Sequence, residues 1–146
     1  MRCASILIAE DNDDIRETLS EVLGMEGYTV HTAKNGKEAL AKLGTIPTPT
    51  LVLLDLMMPV MSGWEFLDAQ KANAILQPHQ VLVLSAVPAT QSLEDKTPLK
   101  TAGSLMKPLD LGVLLDRVRD FCGPGTEQEA TREGLLSGDF RHPLAN

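Results

Sequence analysis

Five polar side chains that could do phosphoryl or metal chemistry directly follow short apolar segments of the chain: Glu10, Asp11, Asp55, Ser85 and Lys107. Carboxylates are oxygen ligands of the kind that Mg²⁺ prefers, and a carboxylate can also be a nucleophile that forms an acyl phosphate. An ammonium group and a hydroxyl can neutralise and orient phosphoryl oxygens. Each residue taken singly is more often an ordinary strand end, helix start or loop charge. Their chemistry therefore depends on whether the fold brings them together.

The apolar segments themselves predict the strands of a parallel sheet. Leu51–Leu54 is a run of four large apolar residues, which is typical of a strand buried on both faces. The run Tyr28–Ala33 is rich in β-branched residues and alternates, and further strands are predicted at Ser5–Ala9, Val81–Leu84 and Ser104–Met106. Because the carboxyl ends of parallel strands meet at one edge, where ligands bind, we expect the five polar side chains to lie together.

Helical patterns alternate with these strands. Helices are predicted from about Ile15 to Met25, from Lys37 to Leu43, from Gly63 to about Ala74, and after Asp110. Ser62 and Glu65 form a capping-box pattern, and Gly27 is placed to end the first helix. The stretch 88–98 contains few apolar residues and ends at Pro98, so at most two helical turns are expected there. The alternation predicts an α/β fold with a five-stranded, doubly wound parallel sheet.

The order and spacing of the polar motifs resemble the receiver domain of bacterial response regulators in two-component signalling. The matching motifs are the acidic pair Glu10-Asp11, Asp55 followed by Met58-Pro59 and Gly63, Ser85-Ala86, and Lys107-Pro108. The resemblance covers about residues 4–122. It implies a flavodoxin-like (βα)5 receiver fold similar to the single-domain chemotaxis regulators, with residues 1–122 as the receiver domain. Residues 123–146 are then expected to be a flexible tail or a linker stub.

The resemblance also implies a role for each site residue. Asp55 would be the phospho-acceptor, and Lys107 and Ser85 would contact the phosphoryl oxygens. Asp11, Asp55 and the backbone carbonyl of Met57 would bind Mg²⁺ directly, and Glu10 would bind it through water. In the metal-free protein, three adjacent carboxylates would repel one another unless a lysine lay close.

The phosphoryl donor is expected to be a separate protein, because the three histidines (His31, His79 and His142) are isolated in the sequence. The implied donor is a sensor histidine kinase or a histidine phosphotransfer protein, and the signal would pass to a downstream target protein. Such a module is not an enzyme in the usual sense, since it assists only its own phosphorylation and dephosphorylation. The sequence fits either a complete protein or the amino-terminal part of a longer regulator.

Three other functions are alternatives to this interpretation. A haloacid-dehalogenase-like phosphatase would need a second aspartate two residues after the nucleophile, where this chain has Met57. A flavodoxin-like cofactor binder would need a phosphate-binding loop after the first strand, where this chain has acids. The third is a receiver-like interaction module that works without phosphorylation. The intact site residues argue against it, whereas the weakly patterned stretch 88–98 favours it.

Composition limits the binding partners and the cellular location that we expect for this chain. The 146-residue chain has a formal net charge of −7, which argues against a nucleic-acid-binding surface. No apolar run approaches the length of a membrane span, so no membrane insertion is expected and a cytoplasmic location is predicted. Cys3 and Cys122 are the two cysteines, and they are expected to be buried or idle thiols in a reducing compartment.

Overall fold

The computed structural model describes residues 3–86 and 101–125. The stretch 88–98 and the tail from residue 126 onward, including His142, lie outside these residues. The described elements, in chain order, are β1 (Ser5–Ala9), α1 (Asp13–Met25), β2 (Val30–Ala33), α2 (Gly36–Leu43), β3 (Thr50–Asp55), α3 (Gly63–Lys71), β4 (Gln80–Ser85), β5 (Gly103–Met106) and α4 (Leu111–Cys122).

The five strands form one parallel sheet in the order β2-β1-β3-β4-β5. This order confirms the predicted doubly wound α/β fold. The centre of the sheet is buried on both faces, as β1 and β3 show no exposed residue. Alternate residues of β3 enter two separate cores: Val52 packs with Phe66 on one face, and Leu53 packs with Leu114 on the other. This two-sided burial explains why the β3 sequence is an uninterrupted apolar run.

Helix starts follow the predicted capping residues. Ser62 and Glu65 form the predicted capping box at the start of α3, and the Asp110 carboxylate accepts hydrogen bonds from the backbone at the start of α4. Gly27 has φ 93°, a left-handed conformation that glycine adopts without strain. On α4, Val118 and Cys122 are buried, whereas Leu111 is exposed. None of the helices in the described part of the chain is long and apolar enough to cross a membrane.

The predicted end of α3 is wrong. The helix stops at Lys71 rather than near Ala74, and Ala74 is exposed instead of facing the sheet. The side chain of Asn73 accepts a hydrogen bond from the backbone N–H of Ile75 at 2.9 Å, a local bond that competes with helix. Gln70 takes the inward position and donates to the carbonyls of Leu76 and His79, at 3.0 Å each.

The prediction for the cysteines is also wrong in part. Both are buried, but they are joined in a disulfide, with their Cα atoms 4.6 Å apart. They meet because α4 runs back from the carboxyl edge of the sheet and ends where β1 begins. A sequence separation of 119 residues leaves no local pattern from which this pairing could be predicted.

His79 is a buried structural histidine. It is 4% exposed, and its Nδ1 accepts a hydrogen bond from the backbone N–H of Thr50 at 2.9 Å. Burial lowers the pKa of His79, and this effect outweighs the opposing one of the Thr50 hydrogen bond. The folded protein therefore binds this proton less readily than the unfolded chain, whose histidine has its ordinary pKa near 6.5.

We expect His79 to make the protein less stable as the pH falls. Stability from the neutral ring is present above the unfolded-state pKa and is lost as the pH falls toward the lower folded-state pKa. In His79→Asn, an amide oxygen can still accept from Thr50 but does not titrate. Between pH 7.5 and 5.5 the thermal midpoint of this variant should fall less than that of the parent, with Mg²⁺ present throughout. His31→Asn serves as the control, and parallel curves for the parent and His79→Asn would contradict the prediction.

Candidate functional site

Three carboxylates meet at the carboxyl edge of the sheet. In the β1–β3 register Ala9 lies opposite Leu54, so Glu10 and Asp55 are at the same level on neighbouring strands. One oxygen from each of Glu10, Asp11 and Asp55 lies within 4.8 Å of the others. Glu10 and Asp55 are buried, and Asp11 is exposed. We call these three residues the acidic cluster. The prediction that the strand ends gather these acids is confirmed.

Lys107 supplies the positive charge beside the acidic cluster. It follows β5, and its Nζ lies 2.7 Å from Glu10 Oε1 and 3.4 Å from Asp55 Oδ2. The backbone N–H of Lys107 donates to the carbonyl of Ser85 at 2.8 Å, which fixes the start of this loop against β4. The side chain is 18% exposed, so the ammonium is shielded but can be reached from solvent.

Electrostatics within the site favour a cation. Burial, together with the Glu10 carboxylate, raises the pKa of Asp55 to about 7, although Lys107 and the Met57 N–H act in the opposite direction. Burial by itself lowers the pKa of Lys107, but the hydrogen bond to Glu10 and the attraction of both acids raise it overall. Lys107 sits closer to Glu10 than to Asp55, which explains why its charge does not hold the Asp55 pKa low. A further cation near Asp55 would favour its ionised form.

The donor set of the acidic cluster fits a hard divalent cation. Mg²⁺ takes oxygen ligands, retains several waters, and is commonly held by one or two carboxylates. The exposed Asp11 leaves the cluster open to water. The backbone N–H of Met57 donates to Asp55 Oδ1 at 3.2 Å, which fixes the orientation of that carboxylate. Binding of the ion through the Met57 carbonyl stays a prediction.

Ser85 lies on the strand beside Asp55. In the β3–β4 register Asp55 is opposite Leu84, so Ser85 is one residue beyond it, and it is opposite Met106 of β5. Ser85 is 1% exposed. The fold thus places a buried hydroxyl-bearing residue between the strands that carry Asp55 and Lys107, while its contact with a phosphoryl oxygen stays a prediction.

The loop from Asp55 to α3 is held tightly at both ends. The N–H of Gly63 donates to the carbonyl of Leu56 at 2.9 Å. A β-carbon on Gly63 would lie 2.5 Å from the Asp55 carbonyl oxygen, a distance that real structures do not show, so only glycine fits. The tip of the loop, in contrast, is exposed to solvent, since Met57 and Val60 are 56% and 75% exposed.

Arg16 is a site residue that the sequence analysis missed. An arginine on the first helix has the pattern of a solvent-exposed charge, yet it is 9% exposed. Its Nη1 donates to the backbone carbonyl of Glu10 at 3.0 Å, and its Nη2 pairs with Asp13. Arg16 therefore holds the backbone that carries Glu10 and Asp11. Residues that orient the ligands of a metal ion commonly affect how tightly the ion is bound.

We expect Arg16→Met to weaken Mg²⁺ binding about tenfold, the low end of the usual effect of such supporting residues. The substitution keeps a long apolar stem but removes the donor to the Glu10 carbonyl. Mg²⁺ titrations followed by Trp64 fluorescence or by calorimetry would measure the change. Arg117→Met on α4, outside the site, is the matched control and should bind Mg²⁺ as the parent does. Unchanged affinity in Arg16→Met would show that Glu10 and Asp11 are held without it.

The described histidines lie away from the acidic cluster. His79 precedes β4, at the edge of the sheet opposite the cluster, and is engaged with Thr50 and Gln70. His31 lies within β2 and is half-buried. This placement agrees with the expectation that neither is an internal phosphoryl donor.

The parallel five-stranded fold gathers acids, a serine and a lysine at one edge of its sheet. The family model for the response regulator receiver domain matches residues 6–119. The chain therefore belongs to the response regulator receiver domain family. Receiver domains of two-component systems are signalling modules rather than conventional enzymes, and they interact with histidine kinases and downstream effectors.

Particular relatives differ in length. The chain is 34% identical over 116 residues to sporulation initiation phosphotransferase F of Bacillus subtilis, covering 80% of this chain and 91% of that protein. It is 38% identical over 117 residues to response regulator RR06 of Streptococcus pneumoniae, covering 79% of this chain but 51% of that protein. The chain thus spans nearly all of one curated relative and about half of the other.

Solved structures show the same fold. The chemotaxis protein CheY4 of Vibrio cholerae has a TM-score of 0.71 and 29% identity, covering 82% of this chain and 98% of that one. Response regulator TrrA of Thermotoga maritima, solved in complex with Mg²⁺ and BeF, has a TM-score of 0.68 and 30% identity, covering 80% and 97%. These similarities confirm the predicted receiver fold.

Proposed function

We propose that this domain accepts a phosphoryl group on Asp55 from a histidine of a partner protein, in the presence of Mg²⁺. The observation that carries the proposal is the juxtaposition at Asp55. Its carboxylate lies within 4.8 Å of oxygens of Glu10 and Asp11 and 3.4 Å from the Lys107 ammonium. The acids could hold a divalent cation beside Asp55, and that cation together with Lys107 would supply the positioning and charge neutralisation that phosphoryl transfer requires.

In the proposed reaction, an oxygen of Asp55 forms a bond to phosphorus while the bond from phosphorus to the imidazole nitrogen of the donor breaks. The electron pair of that bond stays on the imidazole of the donor, and the aspartate becomes an acyl phosphate. Lys107 and Ser85 bind phosphoryl oxygens as the charge redistributes. The donor would be a sensor histidine kinase or a histidine phosphotransfer protein. The B. subtilis relative is named a phosphotransferase, which supports phosphoryl transfer as the reaction.

Mg²⁺ is the proposed cofactor, held by Asp11, Asp55 and the Met57 carbonyl, with Glu10 binding through water. When bound, the ion adds positive charge beside the phosphoryl oxygens. The Mg²⁺–BeF complex of the T. maritima relative supports this choice of ion. Lys107 has a second task in the metal-free protein, because its 2.7 Å contact with Glu10 offsets the repulsion within the acidic cluster.

The phosphorylated domain is proposed to act on a downstream target by protein–protein contact, in the cytoplasm, without direct binding of nucleic acid. Its only chemistry would be its own phosphorylation and dephosphorylation. An interaction module that works without phosphorylation is the alternative. The closeness of Glu10, Asp11 and Asp55 and the contact of Lys107 with Asp55 support the phospho-acceptor over this alternative.

Intact-mass measurement tests this function. The full chain is incubated with acetyl phosphate and Mg²⁺, and we expect one added phosphoryl group that is lost in hydroxylamine, as an acyl phosphate should be. The same incubation with EDTA in place of Mg²⁺ should give little or no adduct. No adduct with Mg²⁺ would favour the phosphorylation-independent module.

A further inference from the structure

The disulfide joins the two ends of the described domain. Cys3 lies just before β1 and Cys122 is the last residue of α4. Their Cα separation of 4.6 Å is within the range of native disulfides. Both side chains are buried in the core that α1 and α4 form against the sheet. The chain has 2 cysteines, so the disulfide uses all of them.

Three other contacts hold the same corner of the domain. The Tyr28 hydroxyl donates to the Gly123 carbonyl at 2.5 Å, and Arg119 pairs with Glu26 at 2.7 Å. Gly125 packs so closely that a β-carbon there would lie 1.9 Å from the Glu26 carbonyl oxygen. We call these three contacts, together with the disulfide, the C-terminal clamp. The clamp fixes the end of α4 and residues 123–125 against the turn between α1 and β2.

The size of the core favours folding without the disulfide. Small proteins that depend on disulfides are those whose cores are too small. This domain has a buried core on each face of its sheet. In a reducing compartment, disulfides are usually transient or redox-sensing rather than permanent. The argument from a reducing compartment rests on the proposed function and its cytoplasmic location, whereas the argument from the buried cores does not.

We propose that Cys3 and Cys122 form a reversible thiol–disulfide site, and that its reduction releases the end of α4 and residues 123–125 from the clamp. The co-reactant is a small thiol of the glutathione class. Its thiolate attacks one sulfur, forms a mixed disulfide and displaces the other cysteine as a thiolate. A second thiol then releases the first cysteine. The cysteine pair gains two electrons and two protons, and two thiols become one small disulfide.

The two cysteines differ in exposure as whole residues. Cys3 is 7% exposed, while Cys122 is fully buried. We therefore expect attack at the sulfur of Cys3, with Cys122 as the leaving group. The site lies at the edge of the sheet opposite the acidic cluster, since Cys3 precedes the strand whose far end carries Glu10. Reduction should thus alter the end of α4 without altering Mg²⁺ binding.

The redox behaviour is tested on the full chain in glutathione buffers of increasing oxidised-to-reduced ratio. After equilibration the protein is quenched in acid, alkylated and weighed. We expect a transition between two alkyl groups and none, with its midpoint inside the buffer series. A pair that stays unalkylated in every buffer, while the protein remains folded, is a permanent structural disulfide and overturns the proposal. Two alkyl groups in every buffer would show that the bond does not form, which also overturns it.

The release of α4 is tested by hydrogen exchange and thermal unfolding. A disulfide that closes a loop of this length restricts the unfolded chain strongly, so reduction should lower the thermal midpoint by about 10 °C or more. Exchange should increase mainly in residues 117–125. Cys3→Ser should match the reduced parent and show no redox response. Equal exchange in both redox states, or an increase spread evenly over the domain, would contradict release of the clamp.

Mg²⁺ titration separates this inference from the proposed function. We expect the oxidised and the reduced protein to bind Mg²⁺ with equal affinity. A Mg²⁺ affinity that depends on redox state would show that the disulfide and the acidic cluster, at opposite edges of the sheet, are not independent. A protein that binds no Mg²⁺ in either state would count against the acidic cluster as a metal site. That result would not bear on the redox transition or on the release of α4, which are measured separately.

Discussion

Asp55→Asn should abolish the phosphoryl adduct that acetyl phosphate and Mg²⁺ give with the parent protein. Asparagine has the same shape but lacks the carboxylate needed to form an acyl phosphate. The variant should remain folded, because burial and Glu10 already disfavour the charge on Asp55 and the substitution removes that charge. Intact mass measures the adduct, and the loss should be complete.

Asp68→Asn is the matched control for this experiment. Asp68 is an exposed aspartate on α3, and its substitution changes net charge by the same amount outside the acidic cluster. It should be phosphorylated like the parent. A full adduct in Asp55→Asn would show that another side chain accepts the phosphoryl group, and peptide mapping would then identify it.

Lys107→Met should destabilise the metal-free protein by about 3 kcal/mol, because removing one partner of a buried ion pair leaves the other charge uncompensated. Glu10 and Asp55 have side chains only 1% and 4% exposed. We expect a loss of stability at the low end of the usual range for such substitutions, because Asp55 can take up a proton at neutral pH and so lose its charge. Urea unfolding in EDTA gives the free energy of unfolding.

Saturating Mg²⁺ should reduce this loss, because a cation bound only by the folded protein stabilises it and offsets the same negative charge. Lys71→Met, at the exposed end of α3, is the control and should change stability by no more than about 0.5 kcal/mol. Adding Glu10→Gln to Lys107→Met should recover part of the stability in EDTA. An equal loss with and without Mg²⁺, with no recovery from Glu10→Gln, would mean that Lys107 acts through the packing of its stem.

Most of the fold could be predicted from sequence because its signals are local. The run Leu51–Leu54 shows burial on both faces, and the cap residues Ser62 and Asp110 mark helix starts within one turn. The site could be predicted for the same reason, as each polar residue directly follows a strand and parallel strands end at one edge. The neighbourhood of Asp55 and Glu10 needed one further inference, namely the order of the strands in the sheet.

The features that escaped prediction depend on contacts between distant segments or on local competition. The Cys3–Cys122 bond and the packing of Gly125 join parts of the chain that only the finished fold brings together. Arg16 has the pattern of an ordinary surface charge, and only its contact with the Glu10 carbonyl reveals its place in the site. The early end of α3 depends on Asn73, whose side chain competes with helical hydrogen bonding.

The close packing of Gly63 has a consequence for how such a domain can diversify. Position 63 accepts a single amino acid, because any β-carbon would collide with the main chain of Asp55. Met57 and Val60, a few residues earlier, are exposed, although Val60 has φ 69°, a left-handed conformation that a β-branched residue seldom adopts. A change of the Met57 side chain therefore leaves the contact of Gly63 with the Asp55 main chain intact. One short loop thus joins a position that only glycine can occupy to an exposed tip that does not press on Asp55.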